Sequence, residues 1–183
     1  NSLHPADQNI HRKRFGLVEV PVEAMREAMA TFMGPKRRFE FWLKEPGSHG
    51  RVMIDDYAHH PGELRASISS VRDLYPGRRL TVIFQPHLFT RTRDFAPEFA
   101  AALSLADEVI MLPIYPAREE PIPGVTSEMV LEQVTSTKKI IYSKENLIKS
   151  IKLSNFDVLL TAGAGDIANL LAQICVEFKK QKR

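Results

Sequence analysis

Val52-Met53-Ile54-Asp55-Asp56-Tyr57-Ala58-His59-His60-Pro61-Gly62 joins two kinds of sequence that packing alone would keep apart. The first three residues form a short apolar run suited to a buried strand. It ends at once in two carboxylates, a phenol and two imidazoles. A buried strand needs no such chemistry at its exit, so the segment reads as the edge of a site.

Upstream, Arg38-Phe39-Glu40-Phe41-Trp42-Leu43 alternates enough for a strand, and Glu45-Pro46-Gly47-Ser48-His49-Gly50 has turn chemistry. The two strands are expected to pair as an antiparallel hairpin. Before them, Val22, Met25, Met29 and Phe32 recur at helical spacing after Pro21, and Gly34-Pro35 stops the run. That helix either leans on the domain that follows or belongs to one that precedes it. Residues 1–16 are polar, carry His4 and His11, and read as irregular.

Downstream the order becomes regular. A helix bearing Leu64, Ile68, Val71 and Tyr75 ends at Pro76-Gly77, and the strand Leu80 to Phe84 follows. A helix begun by Asp94, with Phe95, Phe99 and Leu103 inward, leads to the strand Glu108 to Leu112. Next come a helix from Ser127 to Val134, a strand from Lys139 to Tyr142, and a helix capped by Ser143 with Leu147 and Ile151 inward. The strand Asp157 to Thr161 and a helix bearing Ile167, Leu170, Ile174 and Phe178 close the series. Apolar strands alternating with amphipathic helices predict an α/β fold, a mostly parallel sheet covered by helices on both faces.

In such a sheet ligands bind outside the carboxyl ends of the strands. The loops there run from Asp55 to Gly62, from Gln85 to Arg93, from Pro113 to Pro121 and from Ala162 to Asp166, and all are rich in polar and turn residues. The opposite turns, such as Pro76-Gly77-Arg78, are plain.

Arg91 and Arg93, with His87 nearby, are expected to form a cationic edge facing an acidic edge of Asp55 and Asp56. Guanidinium groups grip carboxylate or phosphate with paired hydrogen bonds, so an anionic small molecule is the natural partner. The competing reading is a solvated helix start. Cations at a helix amino end oppose the macrodipole, which favours the functional reading. Asp55, Asp56, His59, His60 and His87 also have the residue types of a divalent metal site, without a metal-specific spacing. A carboxylate here could instead accept hydrogen bonds from a nucleotide ribose.

Gly163-Ala164-Gly165-Asp166-Ile167-Ala168 matches G-x-G-x-x-A, but the chain ends before the acidic residue a dinucleotide site would place about 20 residues on. A tight turn with Asp166 capping a helix is the simpler job. No G-x-x-x-x-G-K-[ST] loop is present.

The 183 residues, 44% hydrophobic and 26% charged, are enough for one ample core or one domain plus part of another. Basic clusters at Arg12-Lys13-Arg14, Lys36-Arg37-Arg38 and Lys179-Lys180-Gln181-Lys182-Arg183 lack interleaved aromatics, which argues against nucleic acid. No apolar run approaches the roughly 20 residues of a membrane span, and the first residues do not read as a signal peptide. A cytoplasmic location is expected. The lone Cys175 lies on an apolar helical face and reads as a packed thiol.

Taken together, Lys36-Arg37-Arg38-Phe39-Glu40, Asp55-Asp56-Tyr57-Ala58-His59-His60-Pro61, Gln85-Pro86-His87, Thr90-Arg91-Thr92-Arg93-Asp94, Tyr115-Pro116-Ala117-Arg118-Glu119 and Gly163-Ala164-Gly165-Asp166 resemble the carboxyl-terminal domain of the Mur ligase family, in the branch that adds L-alanine to UDP-N-acetylmuramate. The resemblance spans about residues 20 to 180. It implies a Rossmann-like sheet for residues 37–183, with residues 1–36 a remnant or tail of a central ATP-binding domain. It also implies an amide-forming ligase of peptidoglycan synthesis that uses ATP and magnesium, both held mainly by the central domain. The fragment alone would be inactive.

By the same resemblance, Arg38 would reach the nucleotide phosphates and Asp56 the ribose. Tyr57, His59 and His87 would lie beside the amino acid, and Arg91 would hold its carboxylate. The family often has a second arginine where this chain has Leu88, which leaves Arg91 alone or helped by Arg93. No residue is an evident general base; His59 is a candidate for positioning. The alternatives are a related ligase that attaches a preformed tripeptide, and a metal-dependent hydrolase built on the aspartate and histidine cluster.

Overall fold

Strands whose residues are apolar at successive positions can satisfy both faces only if both faces are covered, and that is where the longest apolar runs lie. The computed structural model describes residues 20–32, 34–153 and 156–180. The readings for residues 1–16, Arg12-Lys13-Arg14 and the last three residues fall outside these. The chain divides into two compact units, Asn1–Gly34 and Pro35–Arg183. In the first, α1 (Val22–Thr31) follows Pro21 and has no buried residue.

The second unit runs β1 (Glu40–Lys44), β2 (Val52–Asp56), α2 (Pro61–Leu74), β3 (Leu80–Phe84), α3 (Phe89–Asp94), α4 (Ala96–Leu103), β4 (Glu108–Met111), α5 (Ser127–Leu131), β5 (Lys138–Ile141), α6 (Lys144–Leu153), β6 (Val158–Ala162), a 3-10 turn (Asp166–Leu170) and α7 (Leu171–Lys180). The strands form one six-stranded sheet in the order β1-β2-β6-β3-β4-β5. Among the described strands only β1 pairs antiparallel, with Glu40 opposite Asp55 and a bulge between Phe41 and Leu43. The expected hairpin and mostly parallel sheet are both found.

Side chains alternate across the sheet, so each strand feeds two cores. Ile54, Val82, Phe84, Val109 and Leu160 face α2 and α4, while Met53, Ile83, Ile110 and Leu159 face α6 and α7. Phe84 and Phe99 are fully buried with ring centroids 5.2 Å apart. Burying such a side chain stabilises by about 1.5–3 kcal/mol. The edge strand β5 exposes Lys138 and Lys139, charges that discourage further pairing.

The chain runs outward from β2 through β3, β4 and β5, with α2, α4 and α5 on one face. It then returns on the other face through α6 to insert β6 between β2 and β3. Helices leave β2 and β3 toward one face and β6 toward the other, so a crevice opens at the carboxyl ends of these three strands.

Two local expectations are corrected. Asp94 does not begin a helix; it ends α3, and α4 starts separately after Phe95. Pro97 in the first turn of α4 has no N–H to carry the α3 ladder onward. Asp166 does not cap the last helix either. It opens the 3-10 turn before that helix, whose N-cap is Gly165, and its carboxylate is drawn to Gln85 and Lys144.

Candidate functional site at the carboxyl ends of the strands

Asp55 and Asp56 are neighbours on a strand, so their side chains leave on opposite faces and meet different surroundings. Asp55 is fully buried; its oxygens accept from the Thr161 hydroxyl at 2.7 Å and from Arg37 Nε at 3.1 Å. Burial pushes its carboxyl above the usual range, opposed by the Thr161 hydrogen bond and the Arg37 charge. Asp56 accepts from the Ala58 N–H at 3.1 Å and from the Ser67 hydroxyl. Each of its oxygens keeps a lone pair for a further donor.

Arg37 ties this region together. Its backbone is left-handed at φ 57, its Nη2 donates to the Gly163 carbonyl at 2.6 Å, and its own carbonyl accepts from the Tyr57 N–H at 2.7 Å. Arg37 and Arg38 both lie over the Tyr57 ring, at 5.1 and 5.9 Å from its centroid. Arg37 is not among the residues expected at the site from the sequence. One signal was available: an aspartate inside an apolar strand requires a cationic partner, and the hairpin carries Arg37 toward it.

Beyond Tyr57 the loop turns into α2. His59 Nδ1 donates to the Tyr57 carbonyl at 3.0 Å, because a carbonyl can only accept, and this fixes the ring beside Tyr57. His60 and Glu63 form a capping box on α2, which gives His60 a structural job.

The exit of β3 supplies the facing wall. Leu88 is held at φ 72, with its N–H donating to the Tyr115 carbonyl at 2.9 Å and its carbonyl accepting from Thr92. This bend carries His87 beside Arg91, with Arg91 Nη1 donating to His87 Nδ1 at 3.4 Å. Desolvation, then the charges of Arg91 and His59, lower the His87 pKa below its ordinary value, so its ring is neutral at pH 7. Glu119 anchors the neighbouring loop, accepting from the Thr90 N–H at 3.0 Å and from its hydroxyl.

Four rings therefore stand in a row across the strand ends. Tyr57 meets His59 at 5.0 Å, His59 meets His87 at 6.1 Å, and His87 stacks on Tyr115 at 5.7 Å with the planes 26° apart. Arg38 lies at one end of the row and Arg91 beside its third ring. Of the residues picked from sequence, the fold gathers Tyr57, His59, His87 and Arg91, with Arg38 and Asp56 at the near edge. Arg93 pairs with Asp94 at 2.7 Å, both about half exposed, and does not join the row.

Three sequence arguments are corrected. Asp55 takes no part in an acidic edge, since it is spent on Arg37 and Thr161 inside the protein. Arg91 and Arg93 sit in the last turn of α3, where the macrodipole favours cations, so the argument from an opposed dipole falls. The aspartates and histidines also do not converge. Among the described residues no group of three or more His, Cys, Asp or Glu is placed to hold a metal ion.

The family model of the Mur ligase, glutamate ligase domain matches residues 37–165. A UDP-N-acetylmuramate–L-alanine ligase of Parabacteroides distasonis is 53% identical over 164 residues, 90% of this chain and 35% of that protein. The corresponding ligase of Cytophaga hutchinsonii is 47% identical over 85% of this chain and 33% of that protein. The crystal structure of a UDP-N-acetylmuramate-alanine ligase from Thermotoga maritima superposes with a TM-score of 0.67 at 27% identity, covering 94% of this chain and 36% of that one. The chain thus spans about a third of the length of the curated relatives it matches. With its sheet, its strand-end loops and a match across residues 37–165, the chain belongs to the Mur ligase family.

Proposed function

We propose that this chain is the carboxyl-terminal part of a cytoplasmic, ATP-dependent ligase that joins L-alanine to UDP-N-acetylmuramate, and that residues 1–36 are the tail of a preceding ATP-binding domain. The observation that carries this reading is the row of rings flanked by Arg38 and Arg91. It offers a cation for a carboxylate, apolar ring surface for a small side chain, and a second cation near Asp56. Relatives at 47–53% identity that bear the name of such a ligase support the choice of amino acid. Among the described residues no helix is long and apolar enough to cross a membrane.

Arg38 neutralises nucleotide phosphates, and Asp56 accepts from ribose hydroxyls with its remaining lone pairs. Arg91 pairs with the L-alanine carboxylate, with Arg93 contributing only long-range charge. Tyr57, His59 and His87 flank the substrate, and the lowered pKa of His87 keeps that ring from adding a charge that would repel its ammonium group. ATP phosphorylates the muramyl carboxylate, giving an acyl phosphate and ADP. The alanine amine then attacks that carbonyl, and the tetrahedral intermediate expels phosphate as the nitrogen loses its proton.

This chain acts chiefly by placement, for which effective molarities of about 10⁵ M or more are available. His59 positions rather than transfers protons. Asp55 does not fit a magnesium shell, since it faces Arg37 and Thr161 inside the protein, and Asp56 by itself is not a shell. Magnesium is assigned to the preceding domain, and no step is routed through this chain's aspartates. Without a phosphate-binding loop the isolated chain does not ligate.

The test is Arg91→Ala in the intact ligase. Losing the partner of a bound carboxylate lowers kcat/KM for L-alanine by about 100-fold or more, while the thermal midpoint stays within a few degrees. An unchanged kcat/KM overturns the assignment. Preference for a tripeptide over L-alanine would identify the related tripeptide ligase instead.

A further inference from the structure

Tyr115 entered the sequence reading only as part of a loop motif, yet the fold makes it the last ring of the row. Its N–H donates to the Pro86 carbonyl at 2.8 Å and its carbonyl accepts from Leu88, so the backbone is clamped to the exit of β3 on both sides. One side of the residue stacks on His87. Another closes on Gly165, where an added methyl would lie 2.7 Å from Tyr115 Cβ and 2.5 Å from Gln85 Oε1.

Gly165 has an ordinary φ of −85°, so its backbone does not require glycine. The close approach of Tyr115 and Gln85 does. Gln85 is only 1% exposed and cannot retreat: its Oε1 accepts from the Ile167 N–H and its Nε2 donates to Asp166 Oδ1, both at 2.8 Å. Asp166 is in turn held by Lys144, and these hydrogen bonds lower its pKa against the desolvation of burial. Tyr115 is thus wedged between the neutral His87 and an immobile floor.

Behind that wedge is open space. A cavity of about 350 Å³ is lined by Gln85, Ile114, Tyr115, Lys144 and Asp166 among others. Tyr115 belongs both to the ring row and to the lining of this cavity.

We propose that Tyr115 determines the size of the amino acid, limiting it to a side chain of about one methyl group by shutting the ring row off from the cavity. This rests on the reading of Arg91 as the holder of the amino-acid carboxylate. With the carboxylate on Arg91, the side chain lies along His87, and a longer one must enter the volume of the Tyr115 ring. A partition of this kind discriminates single methylene steps by about 10- to 200-fold.

The experiment measures kcat/KM for L-alanine, L-2-aminobutyrate and L-valine in the intact ligase, as wild type, Tyr115→Phe, Tyr115→Leu and Tyr115→Ala. Tyr115→Phe keeps the wild-type preference for L-alanine. Tyr115→Ala lowers the ratio of L-alanine to L-valine by at least about 10-fold, through a gain for the larger substrate. Tyr115→Leu, which keeps apolar bulk against Gly165 and guards against failure to fold, moves the ratio in the same direction. A ratio unchanged in Tyr115→Leu and Tyr115→Ala, with L-alanine still used, overturns the role of Tyr115 and leaves the ligase reading standing. A wild-type enzyme that does not use L-alanine overturns both.

Discussion

At the amino ends of the parallel strands, Arg51, Arg72, Arg78 and Arg79 close onto carboxylates and carbonyls of the neighbouring turns. Arg51 is 6% exposed and binds Glu45 through several hydrogen bonds and the Phe178 carbonyl at 2.6 Å. Arg72 reaches Asp107 at 2.9 Å and the Leu105 carbonyl, Arg78 the carbonyls of Gly50 and Asp157, and Arg79 the Glu108 carboxylate. At the carboxyl ends the pattern reverses. Among the described residues neither Arg38 nor Arg91 makes an ion pair; Arg38 lies over the Tyr57 ring, and Arg91 donates to His87 Nδ1. A guanidinium already matched to protein carboxylates and carbonyls serves stability, whereas one without such partners keeps most of its donors for something else.

The largest effect expected from this contrast is at Arg51. Arg51→Met removes its bonds to Glu45 and to the last turn of α7 together and destabilises the chain by about 3–5 kcal/mol in urea unfolding. In the intact ligase KM for L-alanine does not change. An unfolding midpoint within error of wild type would break the division between the two ends.

Arg37 is the exception that sharpens the contrast, since it lies at the carboxyl end but is paired like the others. Arg37→Met leaves Asp55 buried beside Thr161 alone and destabilises by up to about 3–5 kcal/mol at pH 7. The pH dependence has a definite sign. The folded pKa of Asp55 already lies above its ordinary 3.8, so the folded state takes up a proton before the unfolded one. Without the Arg37 charge the Asp55 carboxyl rises further still, so the defect shrinks as pH falls from the variant's folded pKa to the wild-type one and is constant below that. A destabilisation that is constant from pH 7 to 4 would mean that Arg37 acts through packing rather than charge.

The smallest effect is expected at Arg93, whose pair with Asp94 is about half exposed. Arg93→Gln changes stability by less than about 1 kcal/mol and kcat/KM for L-alanine only a few-fold. A loss comparable to that of Arg91→Ala would place Arg93 in the carboxylate grip after all.

Much of this site was legible before any fold was known. The apolar runs ending in Ile54, Phe84, Leu112 and Thr161 marked the strands to within two residues, and the polar loops after them marked the ligand-binding end of the sheet. Tyr57, His59, His87 and Arg91 were all named there. The division of labour between Asp55 and Asp56 was not legible, because adjacent residues on a strand look alike in sequence but face opposite sides of the sheet. The orientation of Arg91 was misjudged for a similar reason. Whether a residue begins or ends a helix depends on one break in the hydrogen-bond ladder, here between Asp94 and Ala96.

The sequence by itself determined the α/β class, the hairpin partner of β2, the family resemblance and the residue types at the strand ends. All of these follow from local periodicity, turn chemistry and motif order. Only the tertiary structure decided that β6 enters between β2 and β3, that a left-handed Arg37 secures Asp55, and that Tyr115 closes the row begun by Tyr57. These are contacts between residues tens of positions apart. Periodicity and propensity act over a few residues, so only the pairing of distant strands could bring those side chains together.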